Sequence, residues 1–547
     1  MKFVALAAPI AALLLTGAAA AQDAAPAPAF SAEAFRSHVV FLADDALEGR
    51  EAGTRGYEIA ARYVASEFEG LGLRPGVNGG WFQPIQFIRY AQSGTPTLTV
   101  GGHVFAQGQG ISFRARPSSA ATAIDAPMVF AGYGLDAPQA GFDDYAGLDV
   151  RGKIVVALAG TPADLPSDVA ADLNAEKGHA AAARGATGLI LVSPPPAAGS
   201  NGRRRGGGGS RPGTAWLDAE GHPYLDNPLP FTATADAATA ETFFARAPRQ
   251  LGAIFAEAGR GGHPHGFALA QNGAVSIAAS ENTPFESRNV IAILPGTDRA
   301  LAHEYVLLMA HLDHIGICRP EGAADRICNG AMDNATGIST LIEVARAMSQ
   351  PGNRPRRPVI FAAVTAEEKG LHGSEFLARN PVVDGRVVGV VNLDMPVLTY
   401  DFSDVIAFGA EHSTLGPIVQ RAAARMHVAL SPDPLPQESL FTRSDHFEFV
   451  KAGVPSVFLM TGFAGEGRQR FTDFLAHQYH SPADDLNQAI DWQAGARFAQ
   501  LNYLIAREIA DGDQAPMWYA DSFFGRTFGA GQQHAQRPGS GGEAAAH

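Results

Sequence analysis

The stretch EYVLLMAHLDHIG, residues 304–316, sets an unbroken apolar run, Tyr305 to Met309, directly against an imidazole and a carboxylate, His311 and Asp313. A run of this length without polar alternation is the pattern of a strand buried on both faces. Four more runs share it: Val290 to Leu294, Pro358 to Val364, Val387 to Leu393 and Pro455 to Met460. Helical stretches lie between them, Ile338 to Met348, Gly373 to Arg379 and Leu415 to Met426. Strands alternating with helices predict an α/β domain whose mostly parallel, mixed sheet carries helices on both faces.

In an open sheet of this kind, ligands bind beyond the carboxyl ends of the strands. The residues found there are strongly biased in type. His311 and Asp313 follow the first run quoted, Glu367 and Glu368 follow Pro358 to Val364, and Asp394 follows Val387 to Leu393. Asp333 opens a helix, and Tyr479-His480 adds another imidazole. His311, Asp333, Glu368, Asp394 and His480 supply two imidazoles and three carboxylates, a donor set suited to zinc and related divalent ions. Any one of these residues alone would read as a loop hydrogen bond or a helix cap. Together, three carboxylates at one edge would resist ionising side by side, and two dications would resolve the conflict.

The ordered motifs HLDHIG, GAMDNATG, TAEEKGLHGSEF, NLDM, RSDHFEF and YHSPADD resemble the di-zinc aminopeptidases of peptidase family M28 over about 288–512. The resemblance implies a phosphorylase/hydrolase-like fold and two divalent metal ions, zinc being the expected one. It places His311 and Asp394 on one ion and Glu368 and His480 on the other, with Asp333 between them. Glu367 matches the general base, and Asp313 the carboxylate that orients a ligand. Tyr479 matches a tyrosine that donates to the tetrahedral intermediate, and His446 falls in a segment expected near the substrate. His303 and His314 read as structural or solvent-facing, and Ser444 with Asp445 and His446 forms no triad. The implied activity is removal of N-terminal residues from peptides. Carboxypeptidase or dipeptidase action, glutaminyl cyclisation and a receptor that has lost catalysis are the other outcomes known among relatives.

A second resemblance covers 115–275, where FAGYGLDAPQAGFDDYAGLDVRGKIVVALAG followed by AAAARGATGLILV is similar to a protease-associated (PA) domain, β-rich and inserted. LEGREAGTRGYEIAARYVASEFEGLGLRPG resembles the N-terminal helix of the same peptidases. The expected order is a signal peptide at 1–21, the helical start of the catalytic domain and a linker at 22–114, the insert at 115–275, the catalytic domain at 276–512, and a polar, fraying tail at 513–547. Lys2, the apolar run Val4 to Leu15 and the small residues Ala18 to Ala21 carry the signal-peptide pattern, which implies a secreted or periplasmic protein. In that compartment Cys318 and Cys328, the only two cysteines, are expected to pair. No later run reaches the ~18 apolar residues of a membrane span. A net charge of -14 disfavours nucleic acid as a partner, while the resemblance implies peptides as substrates and leaves oligomeric state open.

Overall fold

The computed structural model describes residues 28–195 and 212–538. The leader expected at 1–21 and the Arg203-Arg204-Arg205 stretch lie outside the described residues.

Ten strands form the larger sheet. Its order is Gly213–Trp216, Phe82–Gln92, Ser280–Leu294, Val359–Val364, Glu304–His311, Arg386–Leu393, Ser456–Thr461, Asp404–Phe408 and Ala429–Ser431, with Arg74–Pro75 beside Ser280–Leu294. The central four, from Val359–Val364 to Ser456–Thr461, run parallel, so their carboxyl ends share one edge. Antiparallel strands flank them on both sides.

Continuous apolar runs form here because each face needs apolar residues. Val306, Leu308 and Ala310 share a core with Ile338 and Leu341 of the helix Thr336–Ser349 and with Phe498 and Ile505 of the helix Trp492–Asp511. Leu307 and Met309, pointing the other way, share theirs with Leu377 of His372–Arg379 and Phe449 of His446–Lys451. The helical stretch expected from Phe35 to Leu73 is two helices, Ala32–Leu42 capped by Ser31 and Arg55–Gly70 capped by Thr54. The kinked turn Asp45–Arg50 between them buries Arg50.

A second sheet of eight strands is drawn from 97–277. Four of its strands, Thr122–Phe130, Ile154–Leu158, Gly188–Val192 and Thr232–Ala235, are parallel neighbours. The sheet therefore begins before the expected insert limit of 115. Gly213–Trp216, although inside that limit, leaves it to pair with Phe82–Gln92 at the edge of the larger sheet. Cys318 and Cys328 are joined by a disulfide, with Cα atoms 5.8 Å apart, across the short ladder of Gly316–Ile317 and Ile327–Cys328.

The expectation of a fraying tail from 513 fails over most of its length. Trp518 and Phe524 are fully buried, and the helix Phe523–Phe528 sets Phe524 against Phe441 and Phe447. A Gly-rich, polar composition concealed four aromatic residues, Trp518, Tyr519, Phe523 and Phe524, whose burial outweighs the entropy of ordering the segment. Among the described residues, no helix is long and apolar enough to cross a membrane.

The two sheets meet where the helix Ser167–Ala175 packs on the turns Pro436–Glu438 and Leu440–Thr442. There the Ser439 hydroxyl donates to the Ser167 carbonyl at 3.1 Å. Asp172, on the same helix, is buried with one carboxylate oxygen unpartnered. Burial, then the neighbouring Glu176 charge, pushes its pKa up to about 7. Because the folded value lies above the ordinary ~3.9 of an unfolded Asp, the folded state holds the proton more tightly and stability falls as pH rises from about 4 to 7. Asp172→Asn, which cannot ionise, is expected to raise the melting temperature at pH 8 by about 2–4 °C for each kcal/mol recovered, and to differ little from wild type at pH 5. Calorimetry across that range checks it; an offset independent of pH would contradict it.

Candidate metal centre

Each donor enters the centre from a different element. His311 ends Glu304–His311, Glu367 and Glu368 follow Val359–Val364, and Asp394 follows Arg386–Leu393. Asp333 lies in the turn Ala331–Ala335 that opens the helix Thr336–Ser349, and His480 follows the helix Gly467–His477. His311 Nε2 is 3.1 Å from both Asp333 Oδ1 and Asp394 Oδ1. On the far side of Asp333, His480 Nε2 is 3.4 Å from Asp333 Oδ2 and 3.0 Å from Glu368 Oε2. The two oxygens of Asp333 thus face two different donor groups. His314, expected to be structural or solvent-facing, takes the structural alternative: it is fully buried beside the second group, its Nδ1 2.7 Å from Glu368 Oε1.

The electrostatics show what this donor set lacks. Burial, the largest influence, pushes the Glu367 carboxyl well above its ordinary value; His311 opposes this, and the Glu368, Asp394 and Asp445 charges add to it. Burial would lower the His480 pKa, but hydrogen bonds with Asp333 and Glu368 raise it to about 10. His311 is likewise held well above its ordinary value, burial being outweighed mainly by the Asp394 and Glu367 charges. Protons on the imidazoles therefore supply the positive charge these carboxylates demand. A divalent cation would replace those protons, since an imidazole ligates only when its nitrogen is free of one. The imidazoles of His311 and His480 and the carboxylates of Asp333, Glu368 and Asp394, gathered on either side of Asp333, fit divalent cations.

A ring of further residues holds the donors. Asp313 acts differently from expectation: its backbone carbonyl, not its carboxylate, meets His311 Nδ1 at 3.0 Å. The carboxylate accepts the Glu367 backbone N–H at 3.1 Å, which fixes the catalytic candidate instead of the ligand. Three supporting residues escaped sequence reasoning. The Ser444 hydroxyl donates to Asp394 Oδ2 at 2.6 Å and accepts from Asn392 at 2.7 Å. Asp484 accepts the backbone N–H groups of Met332 and Asp333 at 2.8 and 3.0 Å. Arg50 donates to the carbonyls of Leu42, Leu312, Asn329 and Gly330, tying together the segments that carry His311 and Asp333. Ser444 and Asp484 lie inside motifs already noted, and Arg50 inside LEGR, but only their partners reveal these roles. Ala366, Met395 and His480, in or beside the donor positions, have positive φ without being glycine, a strain that supporting structure must hold.

The centre opens into a cavity of 210 Å³ walled by Met395, Leu440, Phe458, Phe471 and Leu475, with Glu438, Arg443 and Tyr479 as polar members. Tyr479 stacks on His480, ring centroids 3.8 Å apart. His446, expected near the substrate, lies behind the wall: it is fully buried between Phe441 and Phe458, and burial drives its pKa down to about 3. A larger cavity of 410 Å³, lined by Leu307, Ile360, Leu377 and Phe449 among others, includes none of the donors.

A parallel sheet edge carrying this donor set, with a half-buried glutamate beside it, is chemically suited to metal-assisted hydrolysis. Residues 289–506 match the family model of peptidase family M28, and residues 124–221, ahead of them, match that of the PA domain. A probable zinc metalloprotease of Pyricularia oryzae is 27% identical over 269 residues, 43% of this chain and 52% of that protein. Leupeptin-inactivating enzyme 1 of Streptomyces exfoliatus is 27% identical over 220 residues, 37% of this chain and 44% of that one. The chain spans about half the length of these curated relatives. An aminopeptidase from Aneurinibacillus sp. strain AM-1 shares the fold, with a TM-score of 0.50 and 23% identity across 88% of this chain and 94% of that one.

Arg50 is the buried cation beneath this group, and burial lowers its pKa to about 10 against the pull of Asp484, Asp313, Asp333 and Glu368. Arg50→Met should cost about 3–5 kcal/mol, the range for breaking a buried charge arrangement by removing one member. Urea unfolding measures it, and a loss below about 1 kcal/mol would show that the guanidinium does not organise the turn.

Proposed function

We propose that the protein is an exported, two-metal aminopeptidase. Glu367 carries the proposal: it is adjacent in sequence to a donor and lines the cavity, yet it belongs to neither donor group. Its backbone is anchored by Asp313, leaving the carboxylate available for proton transfer.

His311, Asp394 and Asp333 would hold one ion, and Asp333, Glu368 and His480 the other, zinc by analogy with the probable zinc metalloprotease above. Bound divalent ions supply Lewis acidity to a water nucleophile and to the scissile carbonyl. Glu367 takes a proton from the attacking water and passes it to the leaving amine, as base and then acid. Burial, then the Asp333 and Glu368 charges, keeps the Tyr479 hydroxyl protonated, so it can donate to the developing oxyanion.

Two features favour release from the amino terminus. The cavity, at 210 Å³, is below the ~300–1,000 Å³ of ordinary ligand pockets and suits a terminal residue better than a through-running chain. Glu438 on its wall has its own counter-charge in Arg443, 3.6 Å away, and the acidic surroundings favour an ammonium terminus over a carboxylate one. The signal-like pattern at 1–21 and the Cys318–Cys328 disulfide support export, since disulfides persist in oxidising compartments.

Peptides with a free amino terminus should be cleaved and their N-acetylated forms spared. Glu367→Gln should lower kcat by about 10²–10⁴-fold, the usual contribution of a general base, while metal content stays at two per chain. Equal cleavage of blocked substrates would sink the aminopeptidase assignment, and undiminished turnover in the variant would remove Glu367 as the base.

A further inference from the structure

We propose that Asp168, Glu411 and His412 form a further divalent-cation site, which ties the region matching the PA domain to the larger sheet at the edge opposite the metal centre. Away from that centre, they are the one place among the described residues where three side chains of His, Asp or Glu converge, a donor atom of each lying within 4.8 Å of the others. Asp168 comes from the first turn of the helix Ser167–Ala175, inside 124–221. Glu411 and His412 belong to the turn Ala410–His412, which follows the strand Asp404–Phe408. That strand runs antiparallel to Ser456–Thr461, so the turn lies at the amino ends of the parallel strands, whereas the centre lies at their carboxyl ends.

Two carboxylates alone would not call for an ion, but an orphaned imidazole beside them does. His412 Nε2 and Asp168 Oδ1 are both buried without a hydrogen-bond partner, a condition rare enough in folded proteins to need a reason. Nε2 lies 3.7 Å from Glu411 Oε1, too far for a hydrogen bond. The other ring nitrogen, Nδ1, is 3.5 Å from the Ser522 hydroxyl oxygen. A proton on Nδ1 directed at Ser522 leaves the Nε2 lone pair for a metal, the orientation that metal-bound imidazoles ordinarily adopt. Burial lowers the His412 pKa to about 4, so the ring carries no second proton for a metal to displace. Burial, then the Glu411 and Asp433 charges, raises the Asp168 pKa to about 7, a cost to its ionised form that a dication would relieve.

The donors are held in place by their surroundings. Gly409, just before the turn, has φ +92, and a Cβ there would collide with the Phe441 ring. The His412 ring packs on Phe441 and Phe524, with centroids 5.0 and 4.9 Å away. Arg537 donates to the Glu411 carbonyl at 2.7 Å, and the Tyr519 N–H to the His412 carbonyl at 2.9 Å. One imidazole and two carboxylates suit zinc or a related first-row ion, with a coordination place left for water. Because Glu411 is exposed, this ion should exchange readily, unlike those of the metal centre. Its effect would reach the cavity through the helix Ser167–Ala175, which packs on the turns bearing the wall residues Glu438 and Leu440.

The test is equilibrium dialysis of the full-length holoenzyme, its metal centre already filled, against a graded series of free zinc. Wild type should take up one further ion per chain, an increment that does not depend on how many ions the centre holds. Asp168→Asn, Glu411→Gln and His412→Phe, with unchanged circular dichroism, should bind that ion at least ~10-fold more weakly, the least that loss of even a supporting residue costs a metal site. Glu411→Gln alters an exposed side chain, so it keeps the test open if the other two misfold. His179→Ala, an exposed histidine in the same region, should match wild type. In wild type, hydrogen exchange of the Ser167–Ala175 amides should slow by about 100-fold at free zinc 100 times the measured dissociation constant, and should not respond in Glu411→Gln. No further ion in wild type, or equal uptake by all variants, would overturn the site. Uptake without any change in exchange would overturn its role in tying the two sheets together.

Discussion

The constraint on which the structure depends is the crowding of carboxylates at one edge of the parallel sheet. Asp313, Asp333, Glu367, Glu368, Asp394 and Asp484 are buried or nearly so around a single point. Two like charges 4 Å apart repel by about 4 kcal/mol even at the effective dielectric of ~20 typical of such sites. Left uncompensated, repulsion of that size across several pairs would rival the net stability of an entire domain, ~5–15 kcal/mol. Arg50 from one side and the imidazoles of His311, His314 and His480 from the other are the counter-charges or neutral donors the fold provides. The deficit that remains is what gives the centre its appetite for divalent cations.

Support is distributed so that each donor is fixed by a neighbour outside the donor set. Ser444 holds one oxygen of Asp394, and Asp484 holds the backbone of Asp333. Asn334 spans two donor segments: its amide donates to the Leu393 carbonyl, and its oxygen accepts from the Met395 N–H, on either side of Asp394. The adjacent glutamates separate their tasks by the same means, because Asp313 grips Glu367 through the backbone while Glu368 points its oxygens at two histidines. The PA domain reaches the cavity indirectly. Its helix Ser167–Ala175 seats the segment bearing Glu438, Leu440 and Arg443, and the C-terminal helix Phe523–Phe528 touches it again where Gln139 meets Thr527. Insert and tail together brace the wall that a substrate would touch.

Much of this was legible in the chain because burial on both faces leaves a strong mark. The five central apolar runs each became a strand, and the bias toward His, Asp and Glu just beyond them located the centre. His314 and Asp313 show where that legibility ended. Both sit in HLDHIG, but the side to which each side chain and each carbonyl points depends on how the chain turns after the strand ends, and periodicity says nothing about a turn. His446 was misjudged for a related reason, since proximity in sequence to Ser444 did not reveal that its ring faces Phe441 and Phe458 rather than the cavity. The aromatic residues between Trp518 and Phe524 were hidden by the glycines around them.

The sequence by itself determined the α/β class and the strand ends where His, Asp and Glu gather, because apolar periodicity and side-chain chemistry are local properties of the chain. Only the tertiary structure decided the grouping of residues about the two oxygens of Asp333, the burial of His314 against Glu368 and the role of Arg50 beneath. Those depend on contacts between residues as far apart as Arg50 and Gly330, which no local pattern encodes.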